Sequence, residues 1–191
     1  SIKSHCDAAM PRLKNLMDIF LQPGELFVGD AGFQIRTILG SCVSITLWHP
    51  QLRVGGMSHF LLPTRGKTVS VDAFDGRYGD EALELMCRDL KAAGANPKQC
   101  QAKIFGGGNM FPGNQHARGQ QARGLSVGRR NGEAARALLH QYGIEVVTES
   151  LFGIGHRQII FDVSKGDVWA KQVRPSSHEI AAEDTTKEGS K

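Results

Sequence analysis

The chain has 191 residues, of which 40% are hydrophobic and 22% charged, with a formal net charge of +4 at pH 7. That length suits one domain with a full core and is short for two. No apolar run reaches the roughly 18 residues of a membrane-spanning helix, which argues against membrane insertion. The positive charge is too small and scattered to point to nucleic acid, though it suits an acidic protein partner.

In chain order, residues 1–24 read as a peripheral segment. After Pro11, the residues Leu13, Leu16, Met17 and Phe20 fall at i, i+3, i+4 and i+7, the period of a short amphipathic helix ending near Pro23-Gly24. Strand-like patterns follow over 25–28 and 33–38, broken at Gly29-Asp30. Two apolar, β-branched runs over 39–48 and 54–63 flank His49-Pro50-Gln51 and predict a β-hairpin. Leu83, Met86, Cys87 and Leu90 line one face of a helix that begins near Asp80 and closes at Gly94.

Residues 101–105 predict a strand running into Gly106-Gly107-Gly108. A compositionally biased loop follows over 113–124. Asn131 is read as the N-cap of a second helix, with Glu133 in its first turn, Ala135, Leu138, Leu139 and Tyr142 as its buried stripe and Gly143 as its end. Three strands are expected over 144–148, 158–163 and 167–173, the last two joined at Ser164-Lys165-Gly166. The tail over 174–191 has almost no periodic apolar residues and reads as disordered. Many strands with two or three helices make the class α+β, sheet packed on sheet with helices over one face, in a single domain over 25–173.

Four cysteines (Cys6, Cys42, Cys87, Cys100) form no C-x-x-C pair, and the first ten residues are too polar for a secretory signal. Both features lead us to expect a reducing, cytoplasmic setting. No His, Cys, Asp or Glu spacing matches a zinc site, so no metal is expected.

The chemistry concentrates in the hairpin. A simple turn centred between Pro50 and Gln51 sets Cys42 directly opposite His59, and cross-strand Cβ atoms lie roughly 4.5–5.5 Å apart. A free thiol has a pKa of about 8.5 and needs a neighbouring base or imidazolium to react near neutrality. Gly40 permits a backbone geometry in which an N–H near Ser41 or Cys42 meets a bound carbonyl oxygen. Gly106-Gly107-Gly108 lacks the lysine of a phosphate loop; close backbone approach to a substrate or to the hairpin fits it better. Asn109 is a candidate either to hold a substrate carboxamide or to stabilise the turn.

Leu39-Gly40-Ser41-Cys42-Val43 followed by Gly55-Gly56-Met57-Ser58-His59-Phe60-Leu61-Leu62-Pro63 resembles the CheD family, the chemoreceptor glutamine deamidases of bacterial chemotaxis. Lys103-Ile104-Phe105-Gly106-Gly107-Gly108-Asn109-Met110-Phe111, Val127-Gly128-Arg129-Arg130-Asn131, the stretch 153–161 and Gly166-Asp167-Val168-Trp169 agree with it in order. The resemblance spans roughly 26–173 and implies a layered α/β/β fold. It implies Cys42 as nucleophile, His59 as base, and a threonine before the cysteine that orients the imidazole. Thr37 is the candidate, although in a regular strand Thr37 and Cys42 would face opposite sides. A bulge at Gly40 would restore a common face; Ser44 is the alternative. Gly40, Ser41 and Asn109 are expected on the substrate side.

The activity implied is cofactor-free hydrolysis of selected glutamine side chains on methyl-accepting chemoreceptor cytoplasmic domains, with glutamate methyl esters as chemically equivalent substrates. The alternative is a regulatory module that binds a CheC-type phosphatase. A papain-type peptidase is disfavoured, because there the Cys and His partners lie far apart in sequence. In one place the chain departs from the family pattern: His156 stands where a second glycine precedes Arg157, and its position alone does not make it catalytic.

Overall fold

A computed structural model describes residues 2–4, 15–110 and 126–175. Among the described residues, ten strands form two five-stranded sheets, and two α-helices pack on one of them. The strands are β1 (Ile2–Ser4), β2 (Met17–Phe20), β3 (Leu26–Gly29), β4 (Phe33–Leu39), β5 (Val43–His49), β6 (Val54–Ser58), β7 (Gln101–Gly106), β8 (Glu145–Leu151), β9 (His156–Asp162) and β10 (Asp167–Val173). The helices are α1 (Gly79–Ala92) and α2 (Val127–Tyr142). One sheet runs β1-β10-β9-β4-β2 and the other β3-β6-β5-β7-β8.

The layering follows from which strands are apolar on both faces. β5 is central in its sheet and buried almost throughout, the pattern of a strand covered on both sides. Val43, Ile45 and Leu47 point to the helices, where they meet Leu83, Met86, Cys87 and Leu90 of α1 and Ala135 and Leu139 of α2. The opposite face meets the second sheet through a separate core of Ile35, Leu39, Met57, Phe105, Ile159, Phe161 and Val168. The result is the α/β/β order: helices, sheet, sheet. Trp48 ties the sheets together, its Nε1–H donating to Val163 O at 2.8 Å.

Three expectations are corrected. The short helix expected to end near Pro23 is, at its described end, the strand β2, which runs parallel to β4 from Met17 opposite Phe33 to Phe20 opposite Arg36. An open sheet edge offers backbone partners that an isolated two-turn helix lacks, so pairing overrides the 3.6-residue period. Residue Leu21 then enters the core, 2% exposed.

The central hairpin is also two residues out of the expected register: His49 pairs with Val54 and Thr46 with Met57. The cause is the turn. Arg53 adopts a left-handed φ of 51° and donates its N–H to His49 O at 2.8 Å, while His49 Nδ1 accepts from Leu52 N–H at 3.1 Å. His49 is therefore a buried residue that builds the turn. Finally, Asn131 does not cap α2. Ser126 does, accepting from Arg129 N–H at 3.3 Å, and Asn131 lies inside the helix. Gly143 ends α2 in the left-handed region, φ 67°, as expected. The biased loop over 113–124 and nearly all of the tail beyond 174 lie outside the described residues.

Candidate active site

Gly40, Ser41 and Cys42 are the passage between the sheets, since β4 belongs to one and β5 to the other. Along β4, Ile35, Thr37 and Leu39 are buried towards the facing sheet. Cys42, half-buried, packs on that same inter-sheet core from the other side. A parity count from Thr37 to Cys42 therefore has no meaning across the crossover, and no bulge at Gly40 is required.

His59 follows β6 and is 3% exposed. Its backbone is fixed by the residues just before β3, with its N–H donating to Glu25 O at 3.0 Å and its carbonyl accepting from Gly24 N–H at 2.7 Å. The imidazole is fixed by Thr37, whose Oγ1 lies 2.7 Å from His59 Nδ1 and 2.9 Å from Leu21 O. A carbonyl oxygen can only accept, so the single hydroxyl proton goes to Leu21 O. Thr37 Oγ1 must then accept from Nδ1–H. This tautomer leaves Nε2 with its lone pair, the form a general base requires. Of the two residues weighed for orienting the ring, Thr37 makes the bond. Ser44 stands opposite His59 in the register, yet its buried Oγ has no hydrogen-bond partner among the described residues.

The register sets Leu61 opposite Cys42, with Val43 bridged to Phe60 by bonds of 3.1 and 3.0 Å. Cys42 and His59 are thus diagonal neighbours rather than a direct pair, still within reach for long side chains. Burial lowers the His59 pKa from 6.5 to about 4, opposed weakly by Glu25. Burial likewise pushes the Cys42 thiol up. Both shifts have one cause, loss of hydration of the charged form. Near neutral pH both shifts favour the uncharged form, thiol and imidazole alike.

The glycine run packs on the Cys42 loop. Gly107 N–H donates to Cys42 O and Gly108 N–H to Gly40 O, both at 2.9 Å. A regular ladder would return a bond from Cys42 N–H to Gly107 O. Gly107 instead takes φ 64°, and its carbonyl oxygen lies so close to α2 that a Cβ on Gly128 would sit 2.6 Å from it. Among the described residues no acceptor takes the Cys42 N–H. Gly40 has an ordinary φ, and its role is space: a Cβ there would lie 3.1 Å from Met110 Sδ. Asn109 bridges Ile154 through its backbone, with Asn109 N–H to Gly153 O at 2.8 Å and Gly155 N–H to Asn109 O at 3.0 Å. The positive φ values fall at Phe152, Gly153 and Gly155, and His156 simply opens β9.

Two residues were not singled out as site residues from sequence. Asn131 Nδ2 donates to Ser41 O at 3.1 Å and to Leu61 O at 2.8 Å. Its place one and two turns before Ala135, Leu138 and Leu139 on the buried stripe was the available signal. Arg157, 3% exposed, donates through Nη1 to Gly106 O at 3.1 Å and through Nη2 to Phe152 O at 2.5 Å, which anchors the glycine run from behind. Around this centre Leu62, Met110, Val127 and Ile154 are exposed apolar residues, 36–45% accessible. Among the described residues no three His, Cys, Asp or Glu side chains are grouped to hold a metal ion, and no helix is long and apolar enough to cross a membrane.

A two-sheet α/β/β domain carrying a cysteine, a tautomer-fixed histidine and an unengaged backbone N–H has the parts of a thiol acyl-transfer centre. The family model for CheD chemotactic sensory transduction matches residues 61–172. The chain is 64% identical over 166 residues to a protein of Albidiferax ferrireducens named "Probable chemoreceptor glutamine deamidase CheD 2", covering 87% of this chain and 93% of that one. It is 46% identical over 154 residues to "Probable chemoreceptor glutamine deamidase CheD 3" of Dechloromonas aromatica (81% and 86%). With a CheD of Pseudomonas savastanoi pv. phaseolicola the identity is 44% over 154 residues (81% and 84%). The chain belongs to the CheD family.

Proposed function

We propose that this chain is a cysteine amidohydrolase that converts glutamine side chains on chemoreceptor cytoplasmic domains to glutamate. Its relatives carry the name chemoreceptor glutamine deamidase. The observation that carries the chemistry is the Leu21 O, Thr37 Oγ1, His59 Nδ1 chain, because it leaves Nε2 unprotonated. Cys42 Sγ attacks the side-chain carboxamide carbon as His59 Nε2 takes the thiol proton. The Cys42 N–H holds the oxyanion; a donor of this kind is typically worth about 10²–10³ in rate. The imidazolium returns its proton to the nitrogen, which leaves as ammonia, and a thioester remains on Cys42. A water that gives its proton to His59 then hydrolyses the thioester, releasing glutamate and restoring the thiol.

A glutamate methyl ester enters the same thioester with methanol leaving in place of ammonia, so ester hydrolysis comes with the mechanism. The apolar rim of Leu62, Met110, Val127 and Ile154 suits the face of a receptor helix that presents its glutamine to the half-buried thiol. Intact-mass analysis of candidate receptor domains incubated with the wild-type chain and with Cys42→Ala tests the reading. A gain of about one mass unit per site, as replacement of NH₂ by OH through the thioester route requires, is expected with wild type alone. Equal activity from Cys42→Ala would overturn it, and an unmodified receptor that still bound the chain would favour a regulatory binding module.

A further inference from the structure

Asn131 is fully buried within α2, and its carboxamide leaves the helix layer to meet two main-chain carbonyls, Ser41 O at 3.1 Å and Leu61 O at 2.8 Å. These carbonyls belong to the two strand ends that carry the site, one residue before Cys42 and two after His59. In a continued β5–β6 ladder the next bonded rung beyond Val43 and Phe60 would join Ser41 to Leu62. Leu62 N–H is instead taken by Arg77 O at 3.1 Å, as is Leu61 N–H at 2.9 Å, so the strands part at Cys42. The Asn131 amide occupies the gap as a substitute rung.

We infer that Asn131 is a positioning residue that sets the Cys42 backbone for attack, an inference that rests on the deamidase reading above. The peptide unit between Ser41 and Cys42 is planar and trans, so its C=O and N–H point in opposite directions. Holding Ser41 O against α2 turns the Cys42 N–H away from α2. Gly107 N–H holds Cys42 O on the other flank. Both peptide units around the thiol are thus clamped, and among the described residues the one group left without a partner is the N–H that would meet an oxyanion. The carboxamide nitrogen supplies two donors without a charge, one for each carbonyl; an aspartate would set its oxygens against two carbonyl oxygens. The Asn131 Oδ1 is buried without a hydrogen-bond partner among the described residues. That arrangement is unfavourable for a residue whose role is packing alone, and it follows when both Nδ2 protons are committed to the loop.

The test uses Asn131→Ala in the full chain, with folding verified by thermal melting and Asn131→Asp as the volume-matched second variant. The expected result on a receptor domain is a fall in kcat of about 10- to 100-fold with KM within twofold, the scale of an ångström-level misplacement. In parallel, iodoacetamide alkylation of Cys42 should change more than threefold, while the deeply buried Cys87 and Cys100 stay unreactive. Either a kcat or a Cys42 alkylation rate within twofold of wild type in a folded variant overturns the inference. The alkylation arm needs no receptor, so a wild-type chain inactive on receptors would sink the deamidase reading and leave this test standing. Should neither variant fold, the wild-type Asn131 Nδ2 protons decide by NMR: slow solvent exchange is expected, and exchange at the rate of a free carboxamide overturns the clamp.

Discussion

Thr37 carries a hydroxyl whose one proton is committed to a carbonyl, and that commitment determines which nitrogen of His59 is free. Thr37→Val preserves shape but strands Leu21 O and Nδ1–H. It should lower kcat about 10- to 100-fold and cost about 1–3 kcal/mol for the buried groups left unpaired, read by steady-state deamidation and urea unfolding. Cys42→Ala should lower activity at least about 10³-fold, as loss of a covalent nucleophile does, with an unchanged melting temperature. Cys42→Ser should be nearly as inactive, because a serine hydroxyl is far harder to deprotonate. With the His59 pKa held at about 4 by burial, the base is already neutral throughout the physiological range. The acid limb of kcat/KM should therefore fall near pH 4 and not near 6.5. A limb at 6.5 would mean that the imidazole is solvated in the working enzyme.

At the scale of elements, the site is an assembly of short connections pressed together: the 40–42 crossover, the end of β6, the glycine run after β7 and the start of α2. The glycine run is where the packing is tightest. Gly106 has φ +110°, and a Cβ there would lie 2.3 Å from Cys42 O, whereas Gly94 has φ +83° with open space around it. Replacing each with alanine separates backbone strain from steric collision. Gly94→Ala should cost about 1 kcal/mol, the penalty of the left-handed region alone. Gly106→Ala adds a clash with main chain that cannot move aside, and should cost about 3 kcal/mol or more. In a chain of this size those values correspond to melting shifts of roughly 2–4 °C and 6–12 °C. Equal shifts would show that the Cys42 loop yields to the glycine run and is not braced by it.

For the whole molecule, the burial that keeps His59 neutral also links stability to pH. Above pH 6.5 the imidazole is neutral in both the folded and the unfolded chain. As pH falls from 6.5 towards 4, the unfolded chain takes up a proton that the folded one refuses, so stability drops across that window and levels off below it. With the folded value near 4, the loss amounts to about 3 kcal/mol. Urea midpoints at pH 7 and pH 4.5 should differ less in His59→Gln than in the wild type, because the variant lacks the proton-linked term. The net charge of +4 acts at longer range. If it steers the chain towards an acidic receptor helix, kcat/KM should fall as salt rises from low to molar concentration, because the Debye length shrinks from about 10 Å at 0.1 M to about 3 Å at 1 M. The same recognition makes free glutamine a very poor substrate, checked by ammonia release; turnover equal to that of the receptor would point to a general glutaminase.

The sequence by itself determined the α+β class, both described helices with their buried stripes, most strand positions and the Cys42 and His59 candidates, while Thr37 came from the family resemblance. These signals are local: period 2, period 3.6, a left-handed glycine closing a helix, and the motif Leu39-Gly40-Ser41-Cys42-Val43. Tertiary structure alone decided the rest. The helical period before Pro23 gave way to β2 because the edge of β4 was open to it. The hairpin register moved by two because Arg53 accepts a left-handed turn that His49 stabilises. Thr37 is the candidate partner for His59, with Ser44 as the alternative if strand parity holds; β4 and β5 lie in facing sheets, which brings Thr37 across the core to the imidazole. Asn131 passed for a helix cap because its two acceptors, Ser41 O and Leu61 O, are 90 and 70 residues away in the chain. Backbone carbonyls carry no residue-specific mark, so a side chain that binds them at such separation becomes visible only when the fold brings them together.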